Sequence, residues 1–200
     1  MKFSDGLQKF ISFGYVFLIA LGVLKESVCY YQLGINILKY SALTDILVSP
    51  IADLTSNPII FTTGIVMLVI SYAFPAFLAK RSDKKWVQKI AGLDKKEVLT
   101  SEEVGKHFND MFVVFTSVML MSFFIGRGLG DGKRVVEKIQ ENKITYDHRL
   151  YFNNGGSEAV YLIGTNSIYY FYIDKTSKNI KITPIGTVKT LEIIENKRLK

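Results

Sequence analysis

Three groups of residues have types and spacing that could do chemistry: a glycine run bracketed by basic side chains, two histidines with acids in reach, and a single cysteine. The run Gly126-Arg127-Gly128-Leu129-Gly130-Asp131-Gly132-Lys133 has the composition of a loop that cradles phosphate with backbone N–H groups. Its spacing does not fit. A phosphate loop needs glycine five positions before the Gly132–Lys133 pair, where Arg127 stands, and a Ser or Thr after the lysine, where Arg134 stands. The dinucleotide fingerprint fails as well, because Asp131 or Lys133 takes its third glycine position. The run therefore reads as a flexible exit from an apolar segment. Arg127, Lys133 and Arg134 then read as basic side chains placed to contact a lipid phosphate.

His107 and His148 lie 41 residues apart, and neither has another histidine or cysteine three or four positions away, so no metal site is expected. No Ser-His-Asp or Cys-His set can be assembled from spacing. His107, Asp110 and Glu103 come nearest to an acid–base group at an interface, as a lipid-modifying enzyme would need. Without a converging pair the chain reads as non-catalytic and without a cofactor. Cys29, the single cysteine, excludes an intramolecular disulfide and reads as a small half-buried thiol near a helix end.

These groups hang on apolar segments. From Leu54 to Ala79 there are 26 consecutive residues without a formal charge. Asn57 and Pro58 give a helix start, with Asn as cap and Pro at the first helical position, and Lys80-Arg81 gives the stop. A helix over Pro58–Ala79 covers about 33 Å, enough for the hydrocarbon core of a bilayer. Tyr72 and Trp86 suit the membrane interface on that side. Two shorter stretches, 10–24 and 111–126, hold 15 and 16 uncharged residues. Terminal Lys and Arg reaching the headgroups make them spans over about 8–29 and 110–126, the first continuing past Lys25 and Glu26. No ionisable residue is then expected in the middle of a span. Residues 32–57 are too polar to cross and too apolar for an open loop. Ile35, Leu38, Ala42, Leu43, Ile46 and Leu47 recur at helical spacing, which predicts an amphipathic helix lying in the interface.

Residues 80–110 form a charged connection, with Ser82 capping a short helix and Thr100–Glu103 as a capping box opening the third long helix. Beyond a basic helical connector at 131–143, the pattern changes to period two. Strands are expected over Ile144–Phe152, Glu158–Gly164, Ile168–Ile173, Asn179–Thr183 and Val188–Glu195. The fold class is thus a membrane α domain, 1–130, with three transmembrane helices and an interfacial helix. A small β domain, 144–200, follows as an antiparallel meander or SH3-like barrel. Alternation in the Tyr161–Tyr172 region puts one aromatic set in the core, and leaves Tyr170 and Tyr172 as a partner-binding surface.

The formal charge is +7, but the cations flank apolar segments instead of sharing one soluble face, so the partner is lipid and not nucleic acid. With the N-terminus inside, ten basic residues lie on the cytoplasmic side and seven opposite. The stretch Lys25–Cys29 lacks a small-x-small cleavage site, so the first apolar segment reads as a retained anchor. The string Tyr161–Lys175 resembles small β modules appended to bacterial inner-membrane proteins. That resemblance covers only the C-terminal quarter, carries no functional residues, and implies a bacterial inner membrane. The expectation is a multi-pass subunit with its β domain opposite the cytoplasm, binding other membrane subunits or its own copies. A homo-oligomeric channel lined by Thr and Ser is the rival.

Overall fold

The computed structural model describes residues 2–81, 84–90 and 101–194. The expected caps at Ser82 and Thr100 fall outside them. Among the described residues five helices, α1 (Lys2–Tyr31), α2 (Leu43–Ser56), α3 (Pro58–Ala79), α4 (Lys85–Ile90) and α5 (Ser101–Gln140), precede five strands. These are β1 (His148–Phe152), β2 (Ser157–Thr165), β3 (Tyr169–Asp174), β4 (Ile180–Pro184) and β5 (Val188–Ile193). The chain divides into two compact units, Met1–Pro50 with Ile125–Lys200, and Ile51–Phe124.

Among the described residues, two helical stretches are long and apolar enough to cross a membrane, Ile11–Tyr31 and Met111–Gln140. The pair Leu43–Ser56 and Pro58–Phe74, turned by 102° at its break, makes a third if it counts as one. The turn sits at Asn57, whose side-chain oxygen accepts from the N–H of Ile59 at 2.9 Å and so caps α3.

Three expectations are corrected. The glycine run is not an exit: α5 continues through it to Gln140. Glycine weakens an isolated helix by about 1 kcal/mol per residue, and packing overrides that preference here. The amphipathic helix expected from Ile35 is a 3-10 turn, Ile37–Lys39, then a helix that starts only at Leu43. Asp45 sets that start, accepting from the N–H of Ala42 at 3.0 Å, the reach-back half of a capping box. Residues 144–147 precede the strand instead of belonging to it, and the first strand opens at His148.

The unit Ile51–Phe124 is built on α3 and the first part of α5. Phe74 stacks on Phe115 with ring centroids 5.1 Å apart, and Tyr72 meets Phe112 edge-on at 6.1 Å. Ser71, fully buried, places its hydroxyl 3.3 Å from the Met119 sulfur. The other unit holds a five-stranded antiparallel sheet in the order β4-β3-β2-β1-β5, a four-strand meander with β5 returning beside β1. Bulges at Leu162/Gly164 and at Tyr151/Phe152 bend β2 and the β1–β5 pair. Leu150, Val160 and Tyr172 form a buried cluster on one face, walled by Phe152, Leu162, Tyr170, Val188 and Leu191. Phe171 points the other way, into a cluster with Tyr30 and Ile37 from the helical part.

Candidate functional site

The residues of the first unit that could carry function meet where α1, α5 and the sheet join. Glycine makes this junction possible. A Cβ at Gly128 would lie under 3.0 Å from the carbonyl oxygen of Lys25, and one at Gly132 under 3.0 Å from that of Cys29. One offset of 103 residues relates both pairs, so α1 and this part of α5 run parallel with backbones in contact. Gln32 clips the seam, its amide nitrogen 3.1 Å from the Leu129 carbonyl oxygen. Both helices then stop in one manner. Gly34 (φ 73) and Asn142 (φ 54) take the left-handed conformation, and the N–H groups of Ile35 and Lys143 return to the carbonyls of Tyr30 and Lys138 at 3.0 and 2.9 Å.

A third glycine contact follows from a proline. Pro50 has no N–H to give the carbonyl of Ile46 four residues back. Gly22 of α1 packs on that carbonyl, so closely that a Cβ there would overlap it. The C–H donors of the glycine backbone are a weak substitute for the missing bond. One turn on, Lys25 is 9% exposed and charged. Its ammonium lies 2.9 Å from the Glu26 carboxylate and 3.1 Å from the Ser49 hydroxyl, and that hydroxyl in turn bonds Glu26. Lys25 and Glu26 lie within Ile11–Tyr31, toward the end where the first span was expected to continue past them. A charge survives in such a place only when paired and hydrogen-bonded, which this triad provides.

The sheet is locked to the same junction. Asp45, already capping α2, accepts from the N–H and hydroxyl of Ser167 at 3.1 and 2.9 Å. Asn166 donates to the Tyr40 carbonyl at 3.0 Å. Tyr30 and Phe171 meet with centroids 5.1 Å apart, and Tyr40 is edge-on to Tyr169 at 5.7 Å. Gly164 admits the Tyr30 hydroxyl against β2. Lys138, near the end of α5, sits 5.2 Å over the Tyr161 ring. On the opposite face, Lys181 pairs with Glu158 at 3.2 Å and with buried Asp174, which also accepts from the N–H groups of Thr176 and Ser177 at 3.0 and 2.6 Å. The Lys181 ammonium holds the Asp174 carboxyl well below the usual carboxylate range, and the Asp174 bond raises Lys181 in return.

The sequence-predicted residues are scattered. Arg127 pairs with Asp131 at 2.8 Å, and Arg134 reaches that carboxylate at 3.9 Å, while Lys133 is exposed and 3.7 Å from Glu137. Tyr72 and Trp86 are exposed on α3 and α4. Tyr170 is half-buried, but Tyr172 is corrected. Its ring is 2% exposed, its hydroxyl lies 3.2 Å from that of Thr183, and burial raises its pKa. His148 sits 2.7 Å from Asp147, and the side chains of His107, Asp110 and Glu103 lie outside those described. Sequence reasoning missed Gly22, Tyr30, Asp45 and Asn166. A signal existed for Gly128 and Gly132, whose four-residue spacing is that of close helix packing.

Known proteins add nothing to this geometry. No protein-family model, no curated protein and no solved structure matches the chain.

Proposed function

We propose that the chain is a non-catalytic membrane subunit, in which three helical crossings carry a β module that binds a protein partner or a second copy of the chain. The observation that carries this reading is the parallel seam of α1 and α5 with the sheet clamped at its C-terminal end. Helices lying side by side in one direction begin on the same side, so the chain between them has to return. The candidate for that return is the bent pair of α2 and α3, apolar enough together to count as a third span. Back from the seam, each helix has an uncharged stretch, 10–24 and 111–126. Their outward side chains are apolar: Ile11, Phe13 and Val16 on α1 and Val113, Val114 and Val118 on α5 are at least half exposed, as are Ile59 and Val69 on α3. Hydrocarbon is a better solvent than water for surfaces of this kind.

In this reading the N-terminus and the 80–110 connection face the cytoplasm, the β module faces the opposite side, and the setting is a bacterial inner membrane. Tyr170 and the apolar residues the module leaves outside, Ile168, Ile193 and Ile194, are its contact surface. Among the described residues no feature favours the channel reading over this one. The hydroxyls of Thr62, Thr63 and Ser122 each bond a carbonyl one turn back in their own helix, at 2.8 Å.

Purification from membranes in mild detergent, with mass spectrometry of the eluted assembly, tests the proposal. A second polypeptide or a defined number of copies is expected to co-elute, and substitution of Ile168 and Ile193 by Glu should release it. A lone monomer that no cross-linker converts into a larger species contradicts it.

A further inference from the structure

The helix α2 presents three faces. Ile46 and Pro50 are buried on the first, where Ile46 packs on Gly22 of α1. Asp45, Ser49, Ala52 and Ser56 recur at the spacing of one helix side and form the second. Its polar groups point at the β module and at α1: Asp45 bonds Ser167 of the β2–β3 turn, and Ser49 bonds Lys25 and Glu26. Leu43, Leu47 and Ile51, at four-residue steps, form the third. At 3.6 residues per turn that face lies across the helix from Asp45 and Ser49, and so looks away from the module. Leu43 and Ile51 are 56% and 47% exposed, and the face carries no charge.

Depth and tilt of that face follow from its neighbours. α2 meets α1 between Gly22 and Glu26, where the uncharged stretch 10–24 gives way to charge, the level at which hydrocarbon ends. It is also turned by 102° from α3. α3, 22 residues and about 33 Å long, matches the thickness of the hydrocarbon core, so a helix nearly at right angles to it lies in the membrane plane. An amphipathic helix in that position sinks its apolar side about 5–10 Å into the boundary between headgroups and acyl chains. We propose that α2 is a leaflet-binding arm, with Leu43, Leu47 and Ile51 among the acyl chains of the leaflet on the β module's side and Asp45 tying the module to it from the opposite face. With no Lys or Arg in its 14 residues, the arm grips hydrocarbon and not anionic headgroups. The assignment rests on the membrane reading above, and adds to it that α3 crosses alone and that the module lies close against the bilayer.

The test places a nitroxide on the full chain, in a Cys29→Ala background, through Leu43→Cys or Ile51→Cys. Both positions are exposed, so the label displaces no packed side chain. After reconstitution into phosphatidylcholine vesicles, depth is read from the ratio of collisions with oxygen to collisions with a water-soluble nickel chelate. The two positions are eight residues apart, about 12 Å along the helix. Both labels should report one shallow depth within the acyl region, unchanged when phosphatidylglycerol replaces part of the phosphatidylcholine. Depths that differ by about 12 Å would mean that α2 crosses along with α3, and exposure of both labels to water would mean that the arm lies off the bilayer. Either result overturns the proposal, as does a depth that follows the anionic lipid content. Labels at Ile59 and Val69 of α3, ten residues and about 15 Å apart, separate this from the reading beneath it. Water exposure of both of those refutes membrane insertion, whereas a clear difference in their depths with α2 out of plane or out of lipid refutes only the arm.

Discussion

Alanine at Gly128 and alanine at Gly126 are two residues apart on one helix and should act with opposite sign. Gly126 and Gly130 have open space where a Cβ would stand, whereas a Cβ at Gly128 meets the Lys25 backbone at under 3.0 Å. Replacing glycine by alanine within a helix gains about 0.5–1 kcal/mol from backbone entropy wherever there is room. That gain should appear undiminished in Gly126→Ala and Gly130→Ala. In Gly128→Ala the same gain is present, but α1 has to retreat by about 1 Å before the new methyl finds ordinary contact distance, which thins the packing along the seam. Overpacking of this kind costs about 1–3 kcal/mol. Subtracting one variant from the other cancels the helix-propensity gain and leaves the clash. A difference of about 1–3 kcal/mol corresponds to several degrees in melting temperature for a chain of this length. Thermal unfolding of the three variants in one mild detergent reads it directly. Equal shifts at Gly126 and Gly128, in size and sign, would refute the close parallel seam.

Two further outcomes follow from the β module and its lock. Asp174 is held ionised by Lys181, so its contribution to stability should be full above about pH 4 and fade as the pH falls below that, the direction required when the folded carboxyl is the stronger acid. The melting temperature of the full chain minus that of Asp174→Asn, measured from neutral to acid pH, should shrink toward zero, and a constant difference would show that the ion pair does not govern the acid limb. Asp45→Ala removes both bonds to Ser167 and the reach-back at Ala42, a loss of about 1–3 kcal/mol for partners left unsatisfied. Hydrogen exchange should then rise at Ser167 and at Ala42 together, and a rise at only one of them would mean the cap and the lock are not shared.

Much of this fold is legible in the sequence where one local preference decides. Asn57-Pro58 and Lys80-Arg81 bracket α3, and turn residues bracket β2 to β5 within a residue or two of the observed ends. The failures occur where distant contacts decide. Four glycines in seven residues read as a loop because their cost to a helix is local, while the compensation, α1 lying against Gly128 and Gly132, comes from 103 residues away. Alternation correctly separates Tyr169 and Phe171 from Tyr170 and Tyr172, but period two does not say which side is inside. Here both are covered, one by Tyr30 and Ile37 and the other by strands β1, β2 and β5. The junction triad was hidden for a similar reason. Lys25 and Glu26 read as charges that the first span runs past until Ser49 is seen to bond them.

The most direct measurement of the account is the sidedness of the two ends of α1. In a chain with Cys29→Ala, single cysteines at Ser4 and at Asn154 in the β1–β2 turn would be probed in sealed vesicles with a membrane-impermeant maleimide. The account predicts that one position is labelled in intact vesicles and the other only after lysis. Labelling of both from the same side would contradict a membrane-crossing parallel pair with its β module at the far end.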